Sequence, residues 1–101
     1  MHKSIKIELN GSWPDGADNW DGTVTVNGKI AEFWGDGDAL RGWFVKYSFI
    51  YDMKVYFITI YLDNKIELEY EDGDSMYVNK AYRHNLQILL NGEDVTKSNL
   101  I

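Results

Sequence analysis

The chain of 101 residues has no cysteine, one proline and two histidines, and its longest strongly apolar run is Val55–Leu62. The missing thiols exclude disulfides, thiolate metal sites and cysteine redox chemistry, and they fit a cytoplasmic setting. Val55–Leu62 is far shorter than the ~20 residues that cross a bilayer, and residues 1–25 hold nothing like the apolar core of a signal peptide, so a soluble chain is expected. His2 lies near a terminus and His84 alternates with Tyr82 and Leu86. No second imidazole stands at ligand spacing, and transition-metal ligation lacks its donors. Positive charge is scarce as well: 10 Lys and Arg stand against 16 Asp and Glu, a net charge of −6. Affinity for nucleic acid comes chiefly from cations that neutralise phosphates, so direct binding to nucleic acid or to an anionic membrane is not expected.

What the sequence has in plenty is β-forming residues. With 15% aromatic and 45% hydrophobic residues it can offset the chain entropy of one domain spanning 1–101. The density peaks from Trp43 to Glu71, where Val, Ile, Thr, Tyr, Phe and Trp fill Trp43–Tyr51 and Val55–Leu62 without Gly or Pro, predicting a three-stranded meander. Asp63-Asn64 reads as a two-residue turn, since both residues tolerate positive φ. A two-residue Asp52-Met53 turn would force Met into positive φ, so a three-residue Tyr51-Asp52-Met53 loop is expected there. That register puts Trp43, Val45, Tyr47, Phe49, Val55, Phe57, Thr59, Tyr61, Ile66, Leu68 and Tyr70 on a core face. The opposite face reads Phe44, Lys46, Ser48 and Ile50, then Tyr56, Ile58 and Ile60, then Glu67, Glu69 and Glu71. An apolar patch rimmed by charge is the pattern of an interaction site, unless another part of the chain covers Tyr56, Ile58 and Ile60.

Elsewhere, Lys3–Leu9 alternates as a half-buried strand that caps an edge or closes the core. Asn10–Gly22 is a turn-rich loop that carries Trp13 and Trp20. Asn27-Gly28 is the preferred pair for a type I′ hairpin over Thr23–Trp34, and Asn91-Gly92 repeats the signal between Leu86–Leu90 and Val95. Gly35–Gly42 and Asp72-Gly73-Asp74 read as acidic connections, and Lys97–Ile101 as a fraying end. Met76–Leu90 fits a period of two, with a short helix near residues 75–85 as the alternative, which would make the fold α+β. About eight short strands joined by turn signals predict an all-β antiparallel sandwich or small barrel.

No cofactor or catalytic motif stands in the chain. The Asp-rich loops miss the EF-hand spacing, because aligning Gly22 as the sixth residue puts Ala17 first and Gly28 twelfth. No serine sits in a nucleophile elbow and no carboxylate pair is singled out, so an enzyme is not expected. Two surfaces remain. Trp13, Trp20 and Trp34, interleaved with Asp18 and Asp21, would form an aromatic platform for a carbohydrate or other small ligand; the plainer role for these tryptophans is to cover the core. The other surface is acidic: Asp63 to Asp74 carries six acids against Lys65. Glu67, Glu69 and Glu71, with Asp72 and Asp74 beyond, would stand as a line of anions beside Tyr56, Ile58 and Ile60. A line of charge also protects an exposed edge strand against aggregation, which is the plainer role for this row. In size and charge the chain is similar in kind to the small acidic inhibitors that phages and mobile elements direct against nucleic-acid-binding enzymes. The expected function is therefore a non-catalytic protein-binding module, an inhibitor or immunity-type factor whose acidic, partly apolar sheet face meets a basic protein partner.

Overall fold

A computed structural model of the protein describes residues 4–13, 20–39, 42–71, 78–80 and 86–101. In chain order the strands are β1 (Ile5–Ser12), β2 (Asp21–Val26), β3 (Lys29–Ile30), β4 (Glu32–Ala39), β5 (Gly42–Tyr51), β6 (Lys54–Tyr61), β7 (Ile66–Glu71), β8 (Val78–Lys80), β9 (Leu86–Leu90) and β10 (Glu93–Asp94). They form two sheets, β10-β9-β1-β2-β3 and β4-β5-β6-β7-β8, which face each other as a sandwich around one apolar core. All named pairings are antiparallel except β1 with β9. The all-β class expected from the sequence is the observed one. Val78–Lys80 is a strand where the alternative had a helix; the rest of 75–85 lies outside the described residues.

The alternation in β1 works as read, with Ile5, Ile7 and Leu9 buried and Lys6 and Asn10 exposed. Of the two places expected for it, an edge or a closure of the core, it takes the second, as the central strand of the first sheet with Ile7 and Leu9 fully buried. Both type I′ asparagines hold it there. Asn27 takes a φ of 50° and accepts from the Lys6 N–H through Oδ1 at 2.9 Å. Asn91, also at 50°, accepts from the Gly11 N–H and donates to the Gly11 carbonyl, each at 2.9 Å. Gly11 faces Gly22 across β1 and β2, and a Cβ on Gly22 would come within 2.7 Å of the Trp20 ring. The missing side chains let that indole lie down into the core, edge-on to Tyr47 at 6.1 Å.

Two connections of the second sheet depart from the sequence reading. Gly35–Ala39 is not a loop but the body of β4. An edge strand tolerates glycine, a bulge between Phe33 and Gly35 absorbs Trp34, and Gly37 leaves room for the Phe44 ring, which a Cβ would meet at 2.9 Å. The C-terminal residues do not fray: Ile66 donates to the Asn99 carbonyl and accepts from the Ile101 N–H, and Asn99 Nδ2 donates to the Asn64 carbonyl.

The meander contains the main correction. Its first turn is the two-residue Asp52-Met53, with φ of 52° and 62°, so Tyr51 pairs with Lys54 and Phe49 with Tyr56. Its second turn takes three residues, Leu62, Asp63 and Asn64, with Asn64 at a φ of 65° and the Tyr61 N–H donating to Lys65. Each turn differs from the expectation by one residue, in opposite senses. The shifts cancel at β7 and leave β6 alone turned over. Tyr56, Ile58 and Ile60 therefore lie in the core, with Ile58 at 0% exposure, and Tyr56 stacks on Phe49 at 5.1 Å. These three residues are not the apolar half of a surface; the first sheet covers them. Burial pushes the Tyr56 phenol above its ordinary 10.0, helped by Tyr70, Asp52 and Tyr51, and burial raises Tyr47 likewise.

Candidate functional site

The two sheets have outer faces of different chemistry. That of the first sheet is mostly polar, carrying Lys6, Glu8, Asn10, Thr23, Thr25 and Gln87, with Leu89 opposite Glu8 and Ile30 opposite Thr25. That of the second sheet is a grid fixed by its pairing: Phe44 beside Tyr61, Lys46 beside Thr59 and Glu67, Ser48 beside Phe57 and Glu69, and Ile50 beside Val55 and Glu71. The β6 column is thus Val55, Phe57, Thr59 and Tyr61, the residues assigned from sequence to the core. The β7 column is Glu67, Glu69 and Glu71, as expected. Alternate residues of a strand stand about 6.6 Å apart, so the three carboxylates span about 13 Å.

Trp34, set outward by the bulge and 61% exposed, meets the Phe57 ring edge-on at 5.9 Å. The Lys46 ammonium lies 5.3 Å from the Trp34 ring and 5.9 Å from that of Phe57, a cation held over two aromatic faces. Phe44 packs against Tyr61 at 6.1 Å, and the Tyr61 hydroxyl donates to Glu67 Oε1 at 3.2 Å. Between Lys46 and Glu67 the Thr59 side chain is 2% exposed, and its hydroxyl has no hydrogen-bond partner among the described residues. The face is therefore an aromatic and aliphatic strip with one embedded cation and a carboxylate column along one side.

That column is not on an edge. β8 pairs with Glu69–Glu71 on the side away from β6, and Leu100 bridges Ile66 on the same side. Asp72 and Asp74, placed beyond the row by the sequence reading, lie outside the described residues, as does Asp18.

The tryptophans do not share one surface. Trp20 is in the core, and Trp13 is half-buried with its Nε1–H donating to the Tyr61 carbonyl at 3.1 Å. Trp34 belongs to the outer face just described. Asp21 is exposed at the start of β2, in the other sheet. No group of three or more His, Asp or Glu side chains gathers as a metal site among the described residues, and no helix among them is long and apolar enough to cross a membrane. Comparison with protein-family models, with characterised proteins and with solved structures finds no match, so the geometry alone carries the functional reading.

Proposed function

We propose that the chain is a non-catalytic protein-binding module, an inhibitor or immunity-type factor, that meets a basic protein partner with the outer face of its second sheet. The observation that carries this reading is the carboxylate column of Glu67, Glu69 and Glu71 set beside Val55 and Phe57, on a strand that pairs with β6 on one side and with β8 at Glu69–Glu71 and Leu100 at Ile66 on the other. Edge protection would explain a row of charges on an unpaired strand, and β7 is not one. An apolar strip supplies desolvated contact area, while a line of anions steers a basic surface into register, raising association from a neutral 10⁵–10⁶ to as much as 10⁸–10⁹ M⁻¹s⁻¹ at low salt. Trp34 and Phe57, aromatic and adjacent, are residue types enriched at interfaces, and Trp is among those that carry most of the binding energy.

Affinity capture with the wild-type chain and with a Glu67→Lys, Glu69→Lys variant, followed by mass spectrometry, tests the reading. A basic protein retained by the wild type and lost by the variant is expected. Equal retention of every captured protein by both would refute it.

A further inference from the structure

We propose that the fork between β3 and the end of β5 is a strand-acceptor site, which takes a short extended segment of a partner polypeptide with an apolar side chain. The fork is written into the pairing. Glu32 faces Ser48 and Phe33 faces Tyr47, so the same register, continued, would set Ile30 opposite Ile50. The chain divides first. At Ala31, whose N–H donates to the Val24 carbonyl at 2.8 Å, β3 stays with the first sheet while β4 joins the second.

Two backbone edges are left facing one space. Because Ala31 bonds toward β2, the adjacent Ile30 turns its N–H and C=O away from β2. Because Tyr51 flanks a two-residue turn and pairs with Lys54 in β6, the adjacent Ile50 turns its own pair away from β6. No strand among the described residues pairs with either edge. Between them lies a cleft of about 560 Å³, walled by Val26, Ile30, Phe49, Ile50 and Val55. Ile30 and Ile50 are each 77% exposed. Lys29 and Glu32 at the lining are of opposite sign, so no net charge selects an ion. One N–H and one C=O on each side, with apolar walls between, match the backbone of an added strand, whose two edges bond at once while an alternate side chain fills the cleft.

This deepens the protein-binding reading and rests on it for the polypeptide nature of the occupant. Its test is kept apart from the acidic column. The probe is an acetylated, amidated peptide of alternating Thr and Val with a lysine at each end, added at up to millimolar concentration, and the readout is amide hydrogen exchange by NMR. Slowing of exchange at Ile30 and Ile50 by tenfold or more is expected, and an Ile50→Pro variant, which removes a donor that no neighbouring strand uses, should lose the effect while keeping its fold. If Ile50→Pro unfolds, an Ile30→Pro variant gives the same reading from the other edge. The Glu67→Lys, Glu69→Lys variant should still protect both amides, whatever becomes of partner binding through the acidic column. No protection at millimolar peptide, or protection that Ile50→Pro and Ile30→Pro both leave unchanged, would overturn the proposal. So would protection that rises with protein concentration alone, since the occupant would then be a second copy.

Discussion

Ile58 and Phe57 are neighbours on β6, and substituting each in turn reads out the register of the whole meander. Ile58 is fully buried between the sheets. Replacing it by Ala removes three carbons, a loss of about 2.4 kcal/mol at ~0.8 kcal/mol each, and the residual cavity brings the cost to about 3–4 kcal/mol. Phe57 is half-buried on the outer face, where Ala would forfeit the edge contact with Trp34 and the Lys46 cation. Those contacts are worth about 1–2 kcal/mol together, beyond the ring area lost, so a buried charge separates the two positions better than truncation does. In urea, with a slope on the order of 1.5 kcal/mol per molar, Ile58→Ala should lower the unfolding midpoint by about 2 M; Ile58→Lys, which puts an unpaired charge in the core, should abolish the cooperative transition, whereas Phe57→Lys, on the outer face beside Glu69, should keep one. The order is the point of the experiment, because a three-residue loop at Tyr51-Asp52-Met53 would exchange the two positions. An Ile58→Lys chain that keeps a cooperative transition while Phe57→Lys loses it would refute the register, and with it the grid of the outer face.

Thr59→Val should raise stability by about 1 kcal/mol, since it removes a buried hydroxyl without a partner at little change in volume; a loss of stability in thermal melts would show that the hydroxyl is bonded. Asn91→Gly keeps the backbone at positive φ and deletes both hydrogen bonds to Gly11, so about 1–2 kcal/mol should be lost, and an unchanged urea midpoint would mean that these bonds do not anchor β1. Asp94 is held below its ordinary 3.8 by the Thr96 N–H, the Thr96 hydroxyl and Gln87. A depressed carboxyl contributes stability that is present above that ordinary value and is lost as pH falls through the folded one. Asp94→Asn should therefore flatten the acid limb of the stability profile below pH 3.8, and an unaltered limb would contradict the assignment. At the alkaline end, Tyr47 and Tyr56 have raised pKa values, so their share of stability is present below pH 10.0 and is lost above it; Tyr56→Phe should shrink that loss.

The class of fold was legible because turn chemistry and β composition act locally. Asn27-Gly28 and Asn91-Gly92 each set their hairpin in the expected register, with the side chains of both asparagines adding bonds to β1 that no pattern announces. The phase of β6 was not legible, and the reason is physical. Val55, Phe57 and Tyr61 are as apolar as Tyr56, Ile58 and Ile60, so the strand carries no inside–outside signal of its own, and the turns must decide. Local preference disfavours Met53 in the left-handed region by about 1–2 kcal/mol. Met53 nevertheless stands there, with Tyr56, Ile58 and Ile60 in the core, so that local cost is outweighed by tertiary packing that no local pattern announces. The acidic column was placed correctly because two opposite one-residue shifts cancel at β7. Its neighbours were not, and Trp34 entered the face only through a bulge that depends on pairing with β5.

The role proposed for the carboxylate column is recognition of a partner rather than mere solvation of the sheet. Its most direct measurement is the association rate of the captured partner with the wild-type and Glu67→Lys, Glu69→Lys chains across a range of ionic strength. The variant is expected to remain folded, to associate more slowly at low salt and to lose most of the salt dependence, because complementary charge acts mainly through steering. A variant that binds the same partner with an unchanged rate and an unchanged salt slope would contradict that role.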